Sequence, residues 1–211
     1  MSVAVAEPPV EVAASDGFVV DGGPLAVPRA PVLDLIAARA AEAPDRAALV
    51  HDTARLSYRQ LVAAYTARAE ELRVAGAGPG RLVAVRQRRG IDAVVTILAV
   101  LRAGAGYLPL DPTVGDIRTT AILTDAAGGT PPPPDPFGTG GTAVLPGPGA
   151  GPEVAYVIYT SGSTGVPNGV VIGHEALEHF VAAARQRYGI GPADRVLQFA
   201  PLHFDASVEE L

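Results

Sequence analysis

The chain has 211 residues, 48% hydrophobic and 18% charged, enough apolar material for one or two domains with a buried core. A formal net charge of −6 argues against a nucleic-acid surface, and the absence of cysteine excludes disulfide scaffolds, thiolate metal sites and cysteine nucleophiles. All sixteen basic residues are arginine, which excludes Schiff-base chemistry, a P-loop lysine and any other reaction that needs a side-chain amine.

Residues 1–30 mix Pro8, Pro9, Pro24 and Pro28 with small residues and show no period, which predicts a flexible leader. Met1 to Val20 carries no basic residue and so lacks the charged start of a secretory or transit signal. The longest strongly apolar run, Ala93 to Leu101, is too short to cross a bilayer. A soluble cytoplasmic protein that binds neither membrane nor nucleic acid is expected.

Pattern begins at Pro31. Val32, Leu33, Leu35 and Ile36 form a helical stripe that ends by Pro44. Ser57 and Gln60 have capping-box spacing, and Tyr58, Leu61, Val62, Tyr65 and Leu72 continue a second helix that stops before Gly76. Leu82 to Arg86 reads as a strand. Ile91 to Ala103 is apolar nearly all round, a buried helix stopped by Gly104. Tyr107 to Leu110 and Ala121 to Thr124 read as further strands. Sixteen of the residues in 128–152 are Gly or Pro, which predicts an irregular insert.

Order returns with a strand at Val154 to Tyr159. A glycine-rich loop, a strand at Val170 to Ile172 and a helix carrying Leu177, Phe180, Val181, Ala184 and Tyr188 follow. Arg195 to Ala200 reads as a strand, and Asp205 to Glu210 as the first turn of a helix. Helices alternating with buried strands predict an α/β fold, with helices layered on a partly parallel sheet.

The richest segment chemically is Tyr159-Thr160-Ser161-Gly162-Ser163-Thr164-Gly165-Val166-Pro167-Asn168-Gly169. Its glycines let backbone approach a ligand, and its hydroxyls and free N–H groups converge in one loop between strands, the makings of an anion cradle. The G-x-x-x-x-G-K spacing of the Walker loop is absent.

The stretch Val154 to Gly169 resembles the signature loop of the adenylate-forming, AMP-binding enzymes, specifically the amino-acid adenylation domains of nonribosomal peptide synthetases. Three more stretches resemble other motifs of that family in the same order: Leu56-Ser57-Tyr58-Arg59-Gln60-Leu61, Leu101 through Pro112, and Phe204-Asp205-Ala206-Ser207-Val208-Glu209-Glu210-Leu211. The resemblance covers residues 31–112 and 153–211. It implies an incomplete N-terminal subdomain of the adenylate-forming fold at 31–211, with the Gly/Pro-rich insert at 128–152.

The chemistry it implies is attack of an amino-acid carboxylate on the α-phosphate of ATP, bound with Mg, followed by transfer of the aminoacyl group to a carrier-protein thiol. By position, Thr160, Ser161, Gly162, Ser163, Thr164 and Gly165, with Asn168 and Gly169, would meet the ATP phosphates. Asp205 would hold the substrate ammonium, with Phe204, Ala206 and Glu209 beginning the substrate pocket; an acid at 209 would favour a cationic amino acid. Asn168 stands where the family loop carries a lysine, and the usual Tyr-Pro and following helix are expected to be missing before the insert. The adenine and ribose motifs and the catalytic lysine of the small C-terminal domain lie outside the match. The chain is therefore expected to need the remainder of an adenylation domain for activity. The alternative is a degenerate, non-catalytic remnant that binds a nucleotide weakly, or a partner.

Arg86, Arg88 and Arg89 read as a solvated turn, and Asp111 before Pro112 as a turn residue. The histidines at 51, 174, 179 and 203 are expected in surface or packing roles.

Overall fold

The computed structural model describes residues 4–5, 28–138, 140–146, 153–161 and 167–211. Helix α1 (Val32–Glu42) is followed by an antiparallel hairpin, β2 (Ala47–His51) and β3 (Ala54–Ser57), whose turn places Asp52 at φ 51°. Aspartate tolerates that left-handed conformation better than most side chains. The hairpin has no counterpart in the sequence-based expectations.

Helix α2 (Tyr58–Val74) starts on the expected capping box. The Gln60 N–H donates to Ser57 Oγ at 3.3 Å, and the Ser57 N–H donates to Gln60 Oε1 at 2.9 Å. Two helix-start donors are thereby satisfied. Leu61, Tyr65, Ala69 and Leu72 lie on its buried face. Helix α3 (Ile91–Ala103) keeps its predicted bounds and ends at Gly104, whose φ of 84° is the left-handed stop that glycine adopts freely.

Six strands form the main sheet in the order β1-β8-β7-β5-β4-β6. At its centre β4 (Arg81–Val85), β5 (Gly106–Pro109) and β7 (Val154–Ser161) run parallel. β6 (Thr142–Pro146) adds antiparallel to β4 at one edge. β8 (Pro167–Gly173) adds antiparallel to β7, and the short β1 (Ala4–Val5) lies parallel to β8 at the other edge.

Alternation along the strands divides the core in two. Val83, Val85, Tyr107, Tyr156 and Ile158 pack with α2 and α3. Leu82, Ala84, Leu108 and Val157 pack with Ile122, Leu123 and Ala126 of α4 (Asp116–Ala126). Helix α5 (His174–Tyr188) follows β8, and α6 (Ala206–Glu210) lies at the carboxyl end of the chain.

Three expectations need correction. Ala121 to Thr124 is not a strand but part of α4, so a helix does stand between the second motif and the insert. The buried set Thr119, Ile122, Leu123 and Ala126 has helical spacing, which outweighs the β-branched character of the run. Within 128–152, Thr142–Pro146 is not irregular: it forms β6, an edge strand that ends at Pro146. Arg195 to Ala200 joins no ladder. Instead Glu210 Oε2 accepts from the N–H groups of Phe199 and Ala200, both at 2.8 Å, and Val196, Leu197 and Phe199 remain exposed.

Candidate functional site

Parallel β4, β5 and β7 point their carboxyl ends to one edge of the sheet, where open α/β folds bind ligands. Three stretches meet that edge. β4 runs into Arg86, β5 into Leu110 and Asp111, and β7 into Thr160 and Ser161.

β7 leaves the core at its end. Val154 through Ile158 are buried, Tyr159 is half-buried, and Thr160 and Ser161 are exposed. β8 returns antiparallel, setting Ser161 opposite Pro167, Thr160 opposite Asn168 and Tyr159 opposite Gly169. The Thr160 hydroxyl donates to the Asn168 carbonyl at 3.4 Å. Thr160, Ser161, Asn168 and Gly169 are therefore gathered at the two feet of the glycine-rich loop. Gly162, Ser163, Thr164 and Gly165 fall outside the described residues. Asn168 presents an exposed, neutral amide.

His203 brings the last motif to the same edge. Its Nε2 lies 3.8 Å from Asp111 Oδ2, and its ring packs on Phe204 with centroids 4.9 Å apart. Asp111 accepts from the Thr113 hydroxyl at 2.6 Å and the Thr113 N–H at 2.8 Å. These bonds hold its carboxyl below the ordinary aspartate value, the hydroxyl contributing most. Asp111 is thus the turn residue expected, and it also meets His203, a juxtaposition of residues 92 positions apart that local patterning cannot reveal.

Phe204, Asp205, Ala206 and Glu209 are all exposed. Asp205 Oδ1 accepts from the Ala206 N–H at 2.8 Å. Burial, and secondarily the Asp205 charge, raise the phenol of Tyr156 on β7 above the ordinary tyrosine value. The Glu209 carboxylate accepts from the Tyr188 hydroxyl at 3.3 Å.

Arg86 is not part of a free cationic cluster. It donates to the Val114 carbonyl at 3.2 Å, lies 3.6 Å from Asp116 and sits over the Phe137 ring at 5.6 Å. Arg89 donates to the Phe199 carbonyl. Among the described residues no three His, Asp or Glu side chains are grouped to hold a metal, and no helix is long and apolar enough to cross a membrane. Not foreseen from the sequence is the partner of Tyr159, whose hydroxyl donates to Asp125 on α4 at 2.7 Å. The one available signal was an acid in the last turn of a helix that was itself misread.

The chain is similar to known proteins over most of its length. A family model described as AMP-binding enzyme matches residues 36–128 and 134–211. The chain is 45% identical over 214 aligned residues to an isonitrile lipopeptide synthase of Streptomyces coeruleorubidus, a match that takes in 92% of this chain and 15% of that protein. Its fold is similar to the AMPPNP-bound form of the nonribosomal peptide synthetase FmoA3, with a TM-score of 0.69 and 33% identity over 88% of this chain and 21% of the other. It is also similar to the N-terminal subdomain of Klebsiella oxytoca NpsA in complex with 3-hydroxybenzoyl-AMSN, with a TM-score of 0.67 and 26% identity over 85% of this chain and 50% of that one.

Proposed function

Because the chain belongs to the AMP-binding enzyme family, we propose that it supplies the phosphate-binding part of an amino-acid adenylation site in nonribosomal peptide synthesis. In that reading an amino acid and ATP yield an aminoacyl adenylate and pyrophosphate, and a carrier protein receives the aminoacyl group. The observation that carries the reading is the β7–β8 hairpin, which sets Thr160 opposite Asn168, with Ser161 and Gly169 on either side of that pair, at the carboxyl edge of a parallel sheet. Hydroxyls and backbone N–H groups at such a place suit a phosphate chain.

Asp205 is the residue for the substrate ammonium; two residues before it, His203 meets Asp111 at that edge, which supports the reading. Mg2+ binds largely through phosphate oxygens and water, with one or two carboxylates. At the edge Asp111 offers a single carboxylate of the kind that mode uses.

Calorimetric titration with Mg-AMPPNP tests the proposal. Saturable one-to-one binding that ATP competes away, weakened by Ser161→Ala, is expected. Absence of saturable binding, with the chain folded by circular dichroism, overturns it.

A further inference from the structure

One tyrosine at the foot of the glycine-rich loop joins three elements. Tyr159 is where β7 leaves the core, and its hydroxyl donates to Asp125 Oδ2 in the last turn of α4 at 2.7 Å. Across the ladder it faces Gly169 on β8. A Cβ on Gly169 would lie 3.0 Å from Tyr159 Cζ and 3.2 Å from its Cε2 and Oη, so the ring fills the space a side chain would take.

Each contact makes physical sense of an otherwise unfavourable residue. Glycine weakens a strand by its entropy and its lack of packing surface, and a cross-strand aromatic is the pairing that compensates. A carboxylate in the last turn of a helix opposes the helix dipole, and a hydroxyl donor offsets that cost. Burial first, and the bond to Asp125 second, raise the Tyr159 phenol above the ordinary tyrosine value, so it stays protonated and remains a donor.

We propose that Asp125, Tyr159 and Gly169 form a positioning clasp that fixes the two feet of the glycine-rich loop, residues 160–161 and 167–169, to helix α4. The existence of the clasp rests on these contacts; its use in holding a phosphate chain rests on the function proposed above.

Amide hydrogen exchange and Mg-AMPPNP titration on the full chain test it together. Tyr159→Phe keeps the ring over Gly169 and removes only the hydroxyl. Loss of a bond to a charged acceptor should speed exchange around residues 160 and 168 by about tenfold or more. Core amides such as Val83 and Val100 should stay within about twofold, because they open only with the whole fold. Asp125→Ala should match Tyr159→Phe, whereas Asp125→Asn, which keeps an acceptor oxygen, should stay near wild type. Gly169→Ala should loosen the same amides in the wild-type background but not in Tyr159→Leu, where the ring it strikes is gone.

Unchanged exchange at the loop feet in Tyr159→Phe, or an equal rise at Val83 and Val100, overturns the clasp. The AMPPNP arm separates the two readings. If wild type binds nothing, the phosphate-binding function fails and exchange still judges the clasp. If wild type binds and Tyr159→Phe binds equally well despite faster exchange, the positioning role is overturned.

Discussion

Tyr188, the last residue of α5, donates its hydroxyl to the Glu209 carboxylate on α6 at 3.3 Å. Helix α6 has only five residues, too few to be stable by itself, so contacts of this kind hold it in place. Ser207 is buried and its hydroxyl bonds the carbonyls of Leu202 and Phe204, at 3.1 and 2.6 Å. Glu210 gathers the N–H groups of Phe199 and Ala200.

These bonds predict unequal costs. Tyr188→Phe and Glu209→Ala each remove one exposed bond and should cost a few tenths of a kcal/mol to about 1 kcal/mol, less together than the sum of the two. Glu210→Ala strands two backbone donors and should cost about 1–3 kcal/mol. Urea unfolding of the four variants measures the ranking; equal costs for Glu209→Ala and Glu210→Ala would contradict it.

Ser57→Ala breaks the capping box at the start of α2. The serine oxygen accepts the Gln60 N–H, and an N-cap of this type is worth about 1 kcal/mol. Ser57→Asp, which keeps an acceptor at the N-cap, should recover most of that loss in the same unfolding measurement.

Asp111 predicts a specific acid sensitivity. The Thr113 hydroxyl and N–H depress its carboxyl, so the folded state favours the ionised form. Such a group contributes its full stability above the unfolded aspartate value, near pH 4, and loses it as the pH falls through the lower folded value. Thr113→Val removes the larger of the two contributions. Wild type should therefore lose more stability than Thr113→Val between about pH 5 and pH 2. Parallel pH profiles for the two proteins would show that the bond contributes nothing to this linkage.

Helix α3 was legible because Gly104 stops a run that is apolar nearly all round, and α2 because its capping box is a four-residue pattern, Ser57 to Gln60. Those signals are local. The run Val196-Leu197-Gln198-Phe199 looks equally strand-like, yet a strand needs an edge to pair with, and here Glu210 occupies the Phe199 and Ala200 donors instead. In α4 the buried positions are too few for the helical period to stand out from Ile122 and Leu123.

The candidate site divides in the same way. Glycine and hydroxyl spacing marked one loop as an anion cradle, and the resemblance to adenylation domains assigned Thr160, Ser161, Asn168 and Gly169 to it. The bond from Tyr159 to Asp125 spans 34 positions, and the approach of His203 to Asp111 depends on how separate elements meet at the sheet edge. Tertiary placement, not sequence spacing, creates both.

Residue-resolved amide shifts during a Mg-ATP titration report where the phosphates sit as well as how tightly they bind. Saturable shifts are expected at Thr160, Ser161, Asn168 and Gly169, with little change along α1 or the β2–β3 hairpin. Asn168→Lys should tighten the same titration about tenfold or more, as a charge-assisted bond to phosphate replaces a neutral one. Shifts confined to other surfaces, or an Asn168→Lys affinity equal to wild type alongside unshifted loop feet, would contradict the placement of the phosphate chain at the β7–β8 hairpin.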